Sequence, residues 1–414
     1  MAKQKKRKSP SASSKEMGFI PSQIAEVRGR KGWKVMFHER RGDGSDYSDY
    51  NLIAAVVLLT CFGLVMLYST SAYEAQVNYG SDTFYFAKQA FISLFSFAIM
   101  IGASCLDYHW YIKKSGLLYV VSMGLLVATK FLGRTVNGAR RWIYIGPLSF
   151  QPAEIAKLAV ILFIPYMLIH MGRRMKGWKA PAVIMAFGGG AAFFTYYFTE
   201  NLSTGLIILG ITVVMLFIVH PATKQFLGLF FILAGFVAIA GAVVISKVTA
   251  DTSSFRLRRI MVWLDPEAYS KEGGYQVIQG LYAIGSGGFF GKGLGNSTQK
   301  LGALPEAQND MIFSIICEEL GVFGAVIVIG LFVFLLYRLF FIAQNAPDLL
   351  GSLIAIGIFT HISLQVVLNI AVVLNVIPTT GITLPFVSYG GTSILFLMLE
   401  MSVAISVSRE IQLK

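Results

Sequence analysis

The sequence is poor in charge and has no arrangement of cysteines that would serve chemistry. Asp, Glu, Lys and Arg make up only 14% of its 414 residues, whereas about 25% is usual in a soluble domain. Cys61, Cys105 and Cys317 stand singly in apolar segments, which excludes a disulfide-stapled module and a zinc knuckle. The HExxH motif, the nucleophile elbow and redox motifs are also missing. A soluble enzyme and a disordered protein are therefore excluded.

What the chain does have is a series of long uncharged runs. Hydrophobic residues make up 55% of it, and residues 52–72, 206–219 and 226–245 contain no Asp, Glu, Lys or Arg. A bilayer core about 30 Å thick needs about 20 apolar residues per helix, so the sequence predicts an all-α integral membrane protein with ten transmembrane helices. Only the fifth is interrupted, by glycines at 188–190, which membrane helices tolerate. We place the helices near residues 50–72, 84–106, 112–132, 152–171, 180–198, 203–220, 225–247, 312–341, 348–374 and 391–408.

Residues 1–48 form a basic tail before the first apolar run. Between Lys3 and Arg41 there are twelve Lys or Arg and three Glu, which is typical of a cytoplasmic, lipid-seeking and disordered arm. Docking of a specific partner is the alternative. Because much of the formal net charge of +13 lies in this tail, before the first apolar run, no nucleic-acid partner is expected. The tail lacks an apolar stretch long enough for a signal peptide, so the first transmembrane helix is expected to be an uncleaved anchor.

Lys and Arg in the short loops predict the orientation of the membrane domain, residues 49–410. With both termini in the cytoplasm, the 411–414 tail lies inside and the acidic turn 73–83 lies outside. The extracytoplasmic loops are then 133–151, 248–311 and 375–392, with the largest between helices 7 and 8. The cations that fall inside are Lys113, Lys114, Arg173, Arg174, Lys176, Lys179, Lys224, Arg338 and those of the C-terminal tail.

Several cations break this pattern by lying outside. Arg140 and Arg141 belong to the 133–151 loop, and further arginines belong to the 248–311 loop. Either they serve a purpose there, or long loops simply escape the rule. Glu154 and Lys157, three residues apart, share one face at the start of the fourth helix. They form either a structural ion pair or part of a polar pocket beside the arginines.

Residues 285–295 combine six glycines with Lys292, and Lys300 follows. The segment is not a phosphate-binding P-loop, because Gly rather than Ser or Thr follows Lys292. The glycines either let the backbone approach a ligand closely or serve helix packing alone. At 378–393 two prolines, three glycines and seven hydroxyl side chains, with Ser388 and Gly390 among them, predict irregular backbone. Such backbone forms a cavity wall at membrane depth, or else a tight turn.

Asp310 lies directly before the eighth helix, with Glu306 four residues earlier. A carboxylate there either caps the helix or acts as a general base. Glu318 and Glu319 follow further along the helix, where a charged side chain is energetically costly unless it is ion-paired or solvated. Cations and backbone N–H groups are what a pyrophosphate needs. The outer half of the chain therefore combines arginines, lysines, glycine-rich backbone, one aspartate and a hydroxyl-rich segment, a set that would suit a pyrophosphate and a general base.

Three stretches, NGARRWIYIGPLSFQPAEIAKL, GYQVIQGLYAIGSGGFFGKGLGNSTQKLGALPEAQNDMIFSIICEELG and PTTGITLPFVSYGGTS, closely resemble the SEDS family of bacterial wall polymerases. The resemblance covers about residues 50–410 and favours the division and sporulation members over the elongation member. Two departures, Gln308-Asn309 and Ala153, affect only the subfamily. The resemblance implies that Asp310 is catalytic. It also implies roles for Arg140, Arg141, Glu154 and Lys157, to which we add Lys292, Lys300, Ser388 and Gly390 as substrate-binding residues.

The resemblance further implies the SEDS polymerase fold and a peptidoglycan glycosyltransferase of the bacterial cytoplasmic membrane. Such an enzyme polymerises lipid II and releases undecaprenyl pyrophosphate. A class B penicillin-binding protein, divisome proteins and membrane lipids are the expected partners. A divalent cation, Mg²⁺ or Mn²⁺, is an expected cofactor with ligands unknown. A flippase for lipid-linked precursors and a pure scaffold are the alternatives.

Overall fold

The structure, a computed structural model, describes residues 48–136, 139–145, 148–220, 228 and 255–411. The helices are α1 (Tyr50–Tyr79), α2 (Phe84–Ser104), α3 (Tyr108–Leu132), α4 (Pro152–Met171), α5 (Lys179–Thr199), α6 (Leu202–Val219), α7 (Phe255–Leu264), α8 (Gly274–Gly287), α9 (Ile312–Asn345), α10 (Leu349–Val373) and α11 (Ser393–Ser408). Short 3₁₀ helices occupy Gly172–Lys176 and Ser270–Glu272. The strands are β1 (Arg134–Val136), β2 (Ala139–Ile145) and β3 (Leu148–Phe150).

The helical membrane architecture predicted from sequence is confirmed. Eight of the described helices, α1 to α6, α9 and α10, are long and apolar enough to span a bilayer. The apolar helix α11 has 16 residues and matches the last predicted span. The predicted span at 225–247 and the basic tail before Ser48 lie outside the described residues. Helices α7 and α8 lie within the 248–311 segment that the sequence predicts to be a large extramembrane region.

The fifth predicted span is a continuous helix despite its three glycines. Gly188 lies directly against Thr212 of α6, where a Cβ would collide with the threonine side chain. Gly189 and Gly190 have open space around their Cβ positions. One glycine of the three therefore serves close packing of α5 on α6, and the helix tolerates the other two.

Helix α4 lies at the centre of the bundle. It packs against α3, α5, α6, α10 and α11, and most of its side chains are buried. Pro152 occupies its first turn, as the sequence predicts, because proline lacks an N–H that the first turn would leave unpaired. Gln151, at the N-cap position, makes no side-chain capping bond. This central position places Glu154 and Lys157 inside the protein rather than at its lipid surface.

The helix ends gather at two ends of the bundle. At one end Asp49, before α1, pairs with Arg338 of α9 at 2.8 Å, and its N–H donates to Ser408 of α11. At the same end His109 of α3 lies between Asp107 and Asp348. The opposite end holds the strands, the start of α4 and the segments that precede α9 and α11. Asp310 belongs to this second end.

The segment after α3 folds into a small antiparallel sheet that the sequence did not predict. Its order is β1-β2-β3, with Arg134 opposite Trp142 and Ile143 opposite Phe150. Successive side chains of a strand point to opposite faces. The sheet therefore sends Arg140 and Arg141, neighbours in β2, in different directions.

Helix α9 is broken at Gly321, which has φ +66°, and the glycine-rich segment fills the break. Lys292 N–H donates to Glu318 O and Gly293 N–H to Glu319 O, both at 2.9 Å. In return the N–H groups of Val322 and Phe323 donate to residues 288 and 289. A Cβ at position 291 would strike the backbone of α9. Close backbone packing, one of the two alternatives for the glycine-rich motif, accounts for these contacts.

Candidate active site

Asp310 lies in the turn immediately before α9 and is partly accessible. The N-cap position of α9 belongs to Met311, and no side chain caps the helix there. Instead the Asp310 carboxylate accepts a hydrogen bond from Gln276 Nε2 of α8 at 3.5 Å. The capping alternative for Asp310 is therefore not what the structure shows.

Two arginines lie beside this carboxylate. A Cβ at Gly381, which has φ +70°, would lie 3.9 Å from both Arg141 Nη1 and Asp310 Oδ2. The two groups therefore border one small gap. Arg259 of α7 lies close enough for its charge to act on both Asp310 and Arg141. Its Nη1 donates to Thr379 O at 3.1 Å.

The surroundings change the acidity of both groups. Burial, and then the nearby Glu306 carboxylate, raise the pKa of Asp310 to about 7, although its own backbone N–H and Arg259 oppose the shift. Burial and the neighbouring Arg259 lower the pKa of Arg141, and Glu200 opposes this. A carboxylate with a pKa near the operating pH is well matched to general-base catalysis.

Arg141 keeps part of its hydrogen-bonding capacity unused. Its Nη2 donates to Glu200 O at 3.3 Å, while its buried Nε has no hydrogen-bond partner among the described residues. Arg140 points elsewhere: its Nη1 donates to Lys130 O at 3.2 Å and its Nε to Thr135 Oγ1 at 3.4 Å. The structure thus brings Arg141 to Asp310 and leaves Arg140 on the other face of the sheet.

Glu154 and Lys157 form the predicted i,i+3 pair, with 2.9 Å between Lys157 Nζ and Glu154 Oε1. Lys157 is 2% exposed and also donates to Gln365 Oε1 of α10 at 3.3 Å. Four residues further along α10, the Asn369 amide donates to Asp310 O at 2.9 Å. Sequence reasoning missed both amides. The signal for them was two polar side chains four residues apart in an apolar helix.

Lys292 and Lys300 form ion pairs with the two adjacent glutamates of α9. Lys292 Nζ is 2.7 Å from Glu318 Oε1, and Lys300 Nζ is 2.7 Å from Glu319 Oε1. The hydroxyl of Ser69 in α1 also bonds Glu319. These contacts explain how two adjacent carboxylates are accommodated in a spanning helix. The lysines serve this pairing, and their predicted contact with a phosphate stays a prediction.

The 378–392 segment is held against the Asp310 turn. Ser388 Oγ accepts from Leu384 N–H at 2.8 Å, so it stabilises the irregular backbone from within. Tyr389 N–H donates to Gln308 O at 2.9 Å, two residues before Asp310. Gly390 O accepts from Ser393 N–H as α11 begins. Ser388 and Gly390 thus build the wall beside the site, and their contact with substrate stays a prediction.

The candidate metal ligands near Asp310 are few. Among the described residues, one group of three His, Cys, Asp or Glu has metal-like spacing, and it is Asp107, His109 and Glu410 at the other end of the bundle. Mg²⁺ commonly uses one or two carboxylates together with phosphate oxygens of a substrate. Asp310 and Glu306 fit that requirement in number and in chemistry.

A polytopic membrane protein with a partly accessible carboxylate and two arginines at one end of its bundle is the class that this fold and site define. The family model described as cell cycle protein, FTSW_RODA_SPOVE, matches residues 49–413. The chain belongs to this family, which confirms the resemblance found in the sequence.

Among its relatives is stage V sporulation protein E of Bacillus subtilis, 39% identical over 87% of this chain and 97% of that protein. The probable peptidoglycan glycosyltransferase FtsW of the same species is 36% identical over 87% of this chain and 90% of that protein. A chain of a solved peptidoglycan synthase complex, which coordinates polymerization and crosslinking, has a TM-score of 0.73 and 28% identity. The structural match covers 89% of this chain and 99% of the solved chain.

Proposed function

We propose that this protein is a peptidoglycan glycosyltransferase that polymerises lipid II into glycan strands at the outer face of the cytoplasmic membrane. The observation that carries the proposal is Asp310, a carboxylate with a raised pKa beside Arg141 and Arg259 at one end of a membrane bundle. The relatives named as peptidoglycan glycosyltransferases support the activity. Septal and sporulation wall synthesis are the roles that the similarity to FtsW and to stage V sporulation protein E favours.

The reaction follows from the chemistry of these groups. Asp310 takes the proton from the 4-hydroxyl of the acceptor sugar as that oxygen attacks the anomeric carbon of the donor. The bond between this carbon and the pyrophosphate oxygen breaks, and undecaprenyl pyrophosphate leaves. A single displacement inverts the anomeric carbon. Arg141 and Arg259 stabilise the negative charge that develops on the leaving group.

A divalent cation, if bound, would supply further charge neutralisation at the pyrophosphate. Asp310 and Glu306 are the carboxylates that would hold it. The proton transfer and the orientation of the acceptor are the work of the chain's own residues.

The proposed orientation places the Asp310 end outside the cell and both termini in the cytoplasm. Lipid II is then polymerised where the wall is built. Because the related solved chain belongs to a synthase complex, we expect a class B penicillin-binding protein to crosslink the strands beside this protein. Divisome proteins and membrane lipids complete the expected partners.

The test is polymer formation from lipid II by the purified full chain with its transpeptidase partner. Asp310→Asn is expected to lower the rate by about 10²–10⁴, the usual worth of general-base help. Asp82→Asn is the matched control, because Asp82 is an exposed carboxylate in the turn after α1 that accepts from the Tyr68 hydroxyl. Wild-type polymerisation by Asp310→Asn would overturn the assignment. A flippase would move lipid II without releasing undecaprenyl pyrophosphate.

A further inference from the structure

Two buried amides on α10 connect the central helix α4 with the site. Gln365 and Asn369 are four residues apart and so share one face of the helix. Gln365 is 6% exposed and Asn369 is fully buried. Polar side chains are rare inside membrane bundles and require hydrogen-bond partners. Both amide nitrogens donate to backbone carbonyls of the segments that build the site.

Asn369 uses both protons of one amide group. Its Nδ2 donates to Asp310 O at 2.9 Å and to Ile382 O at 2.7 Å. One side chain therefore ties the turn that carries the base to the 375–392 segment opposite. Neither carbonyl belongs to a regular helix, and a buried carbonyl without a donor is costly.

Gln365 makes the second attachment. Its Nε2 donates to Thr383 O at 3.0 Å, the residue next to Ile382. Its Oε1 accepts from Lys157, which pairs with Glu154. The bonded path runs from the ion pair of α4 through Gln365 and the 382–383 backbone to Asn369 and the main chain of Asp310.

We propose that Asn369 is the positioning residue for Asp310, and that Gln365 links this position to the Glu154–Lys157 pair. Neither amide touches the reacting atoms; both set where the carboxylate stands. Holding a reacting group in place is worth much of an enzyme's rate, and a misplacement of about 1 Å costs about 10²-fold. The inference rests on the proposed function, since it assumes that Asp310 is the base.

The test uses Asn369→Leu, which keeps a similar volume and removes both donated bonds. Thr360→Val is the matched control, because Thr360 is buried on the same helix and its hydroxyl donates to Ile356 O of that helix. With lipid II as substrate, Asn369→Leu is expected to lower kcat by about 10²-fold with little change in KM. Thr360→Val is expected to keep both within twofold of wild type.

A sample that is partly misfolded also loses kcat, so two further readouts are needed. The acid limb of the pH profile should move to lower pH in Asn369→Leu, because a displaced Asp310 gains water and loses the burial that raises its pKa. Partial misfolding lowers the rate at every pH and leaves the midpoint of the pH profile unchanged. In an Asp310→Asn background, Asn369→Leu should lower kcat little further. The effects of changing a base and the residue that positions it are not additive.

Gln365→Met is the second variant, and it carries the test if Asn369→Leu does not fold. It removes the bond to Thr383 O, keeps a similar shape, and should show a smaller loss of kcat with the same shift of midpoint. The inference would be overturned if both α10 variants kept the wild-type kcat and the wild-type midpoint. It would also be overturned if Asn369→Leu lowered kcat as much in the Asp310→Asn background as in the wild-type protein. Either result would leave the proposed function standing. A fully active Asp310→Asn would instead overturn the proposed function.

Discussion

At the scale of single residues, the site depends on what each charged group has beside it. Arg140 and Arg141 are neighbours in sequence, yet β2 sends one to Lys130 O and the other to the gap beside Asp310. Lys157 forms an ion pair with Glu154 of its own helix, whereas Lys300 forms one with Glu319 of α9. Residue type alone did not distinguish an arginine of the site from a lysine that balances a buried charge.

The acidity of Asp310 predicts how the rate depends on pH. The base works only when ionised, so kcat/KM should rise with pH around a midpoint of about 7. Glu306→Gln removes a negative charge that raises this pKa, and the midpoint should therefore move to lower pH. Rates of lipid II polymerisation between pH 5 and 9 measure it. An upward shift, or none, would contradict the assigned electrostatics; the Asp82→Asn profile serves as control.

The two arginines predict unequal effects. Arg141→Ala removes a guanidinium with an unused Nε beside Asp310, and we expect a loss of about 10² in rate, as for removal of one preorganised donor. Arg140→Ala removes bonds to residues outside this gap and should cost less. Initial rates on lipid II decide between them. A larger loss for Arg140→Ala would place the leaving group on the other face of the sheet.

At the scale of elements, close backbone contact explains which glycines matter. Gly188→Ala would force its methyl group into the buried Thr212 side chain, so we expect a loss of about 1–3 kcal/mol from overpacking. Gly189→Ala meets open space and should be neutral or stabilising by up to about 1 kcal/mol. Thermal unfolding in detergent gives both values. Equal effects at the two positions would refute the packing of α5 on α6.

The break in α9 makes a second prediction at this scale. Lys300→Met leaves Glu319 buried without its cation, which should cost about 3–5 kcal/mol. Adding Glu319→Gln to the same protein removes the stranded charge and should restore much of the stability. Thermal unfolding of the single and double variants tests this. If the double variant is folded yet polymerises lipid II far more slowly, Lys300 also acts on the substrate.

At the scale of the whole molecule, the two ends of the bundle must face opposite sides of the membrane. We predict that a cysteine at Ser81, in the turn between α1 and α2, reacts with a membrane-impermeant thiol reagent in intact cells. A cysteine at Lys114, near the start of α3 and at the opposite end of the bundle, should react only after the membrane is permeabilised. Cys61, Cys105 and Cys317 are first replaced. Labelling of Lys114→Cys from outside would invert the proposed orientation.

The sequence by itself determined the membrane class, the spans that the structure describes and the segments that hold the site. Each of these depends on local hydrophobicity, length and charge, which a linear reading can count. Only the tertiary structure decided that Arg141 meets Asp310, that Lys292 and Lys300 neutralise Glu318 and Glu319, and that α10 holds the Asp310 turn. These contacts join residues far apart in the chain, and their partners are chosen by packing, which no local pattern records.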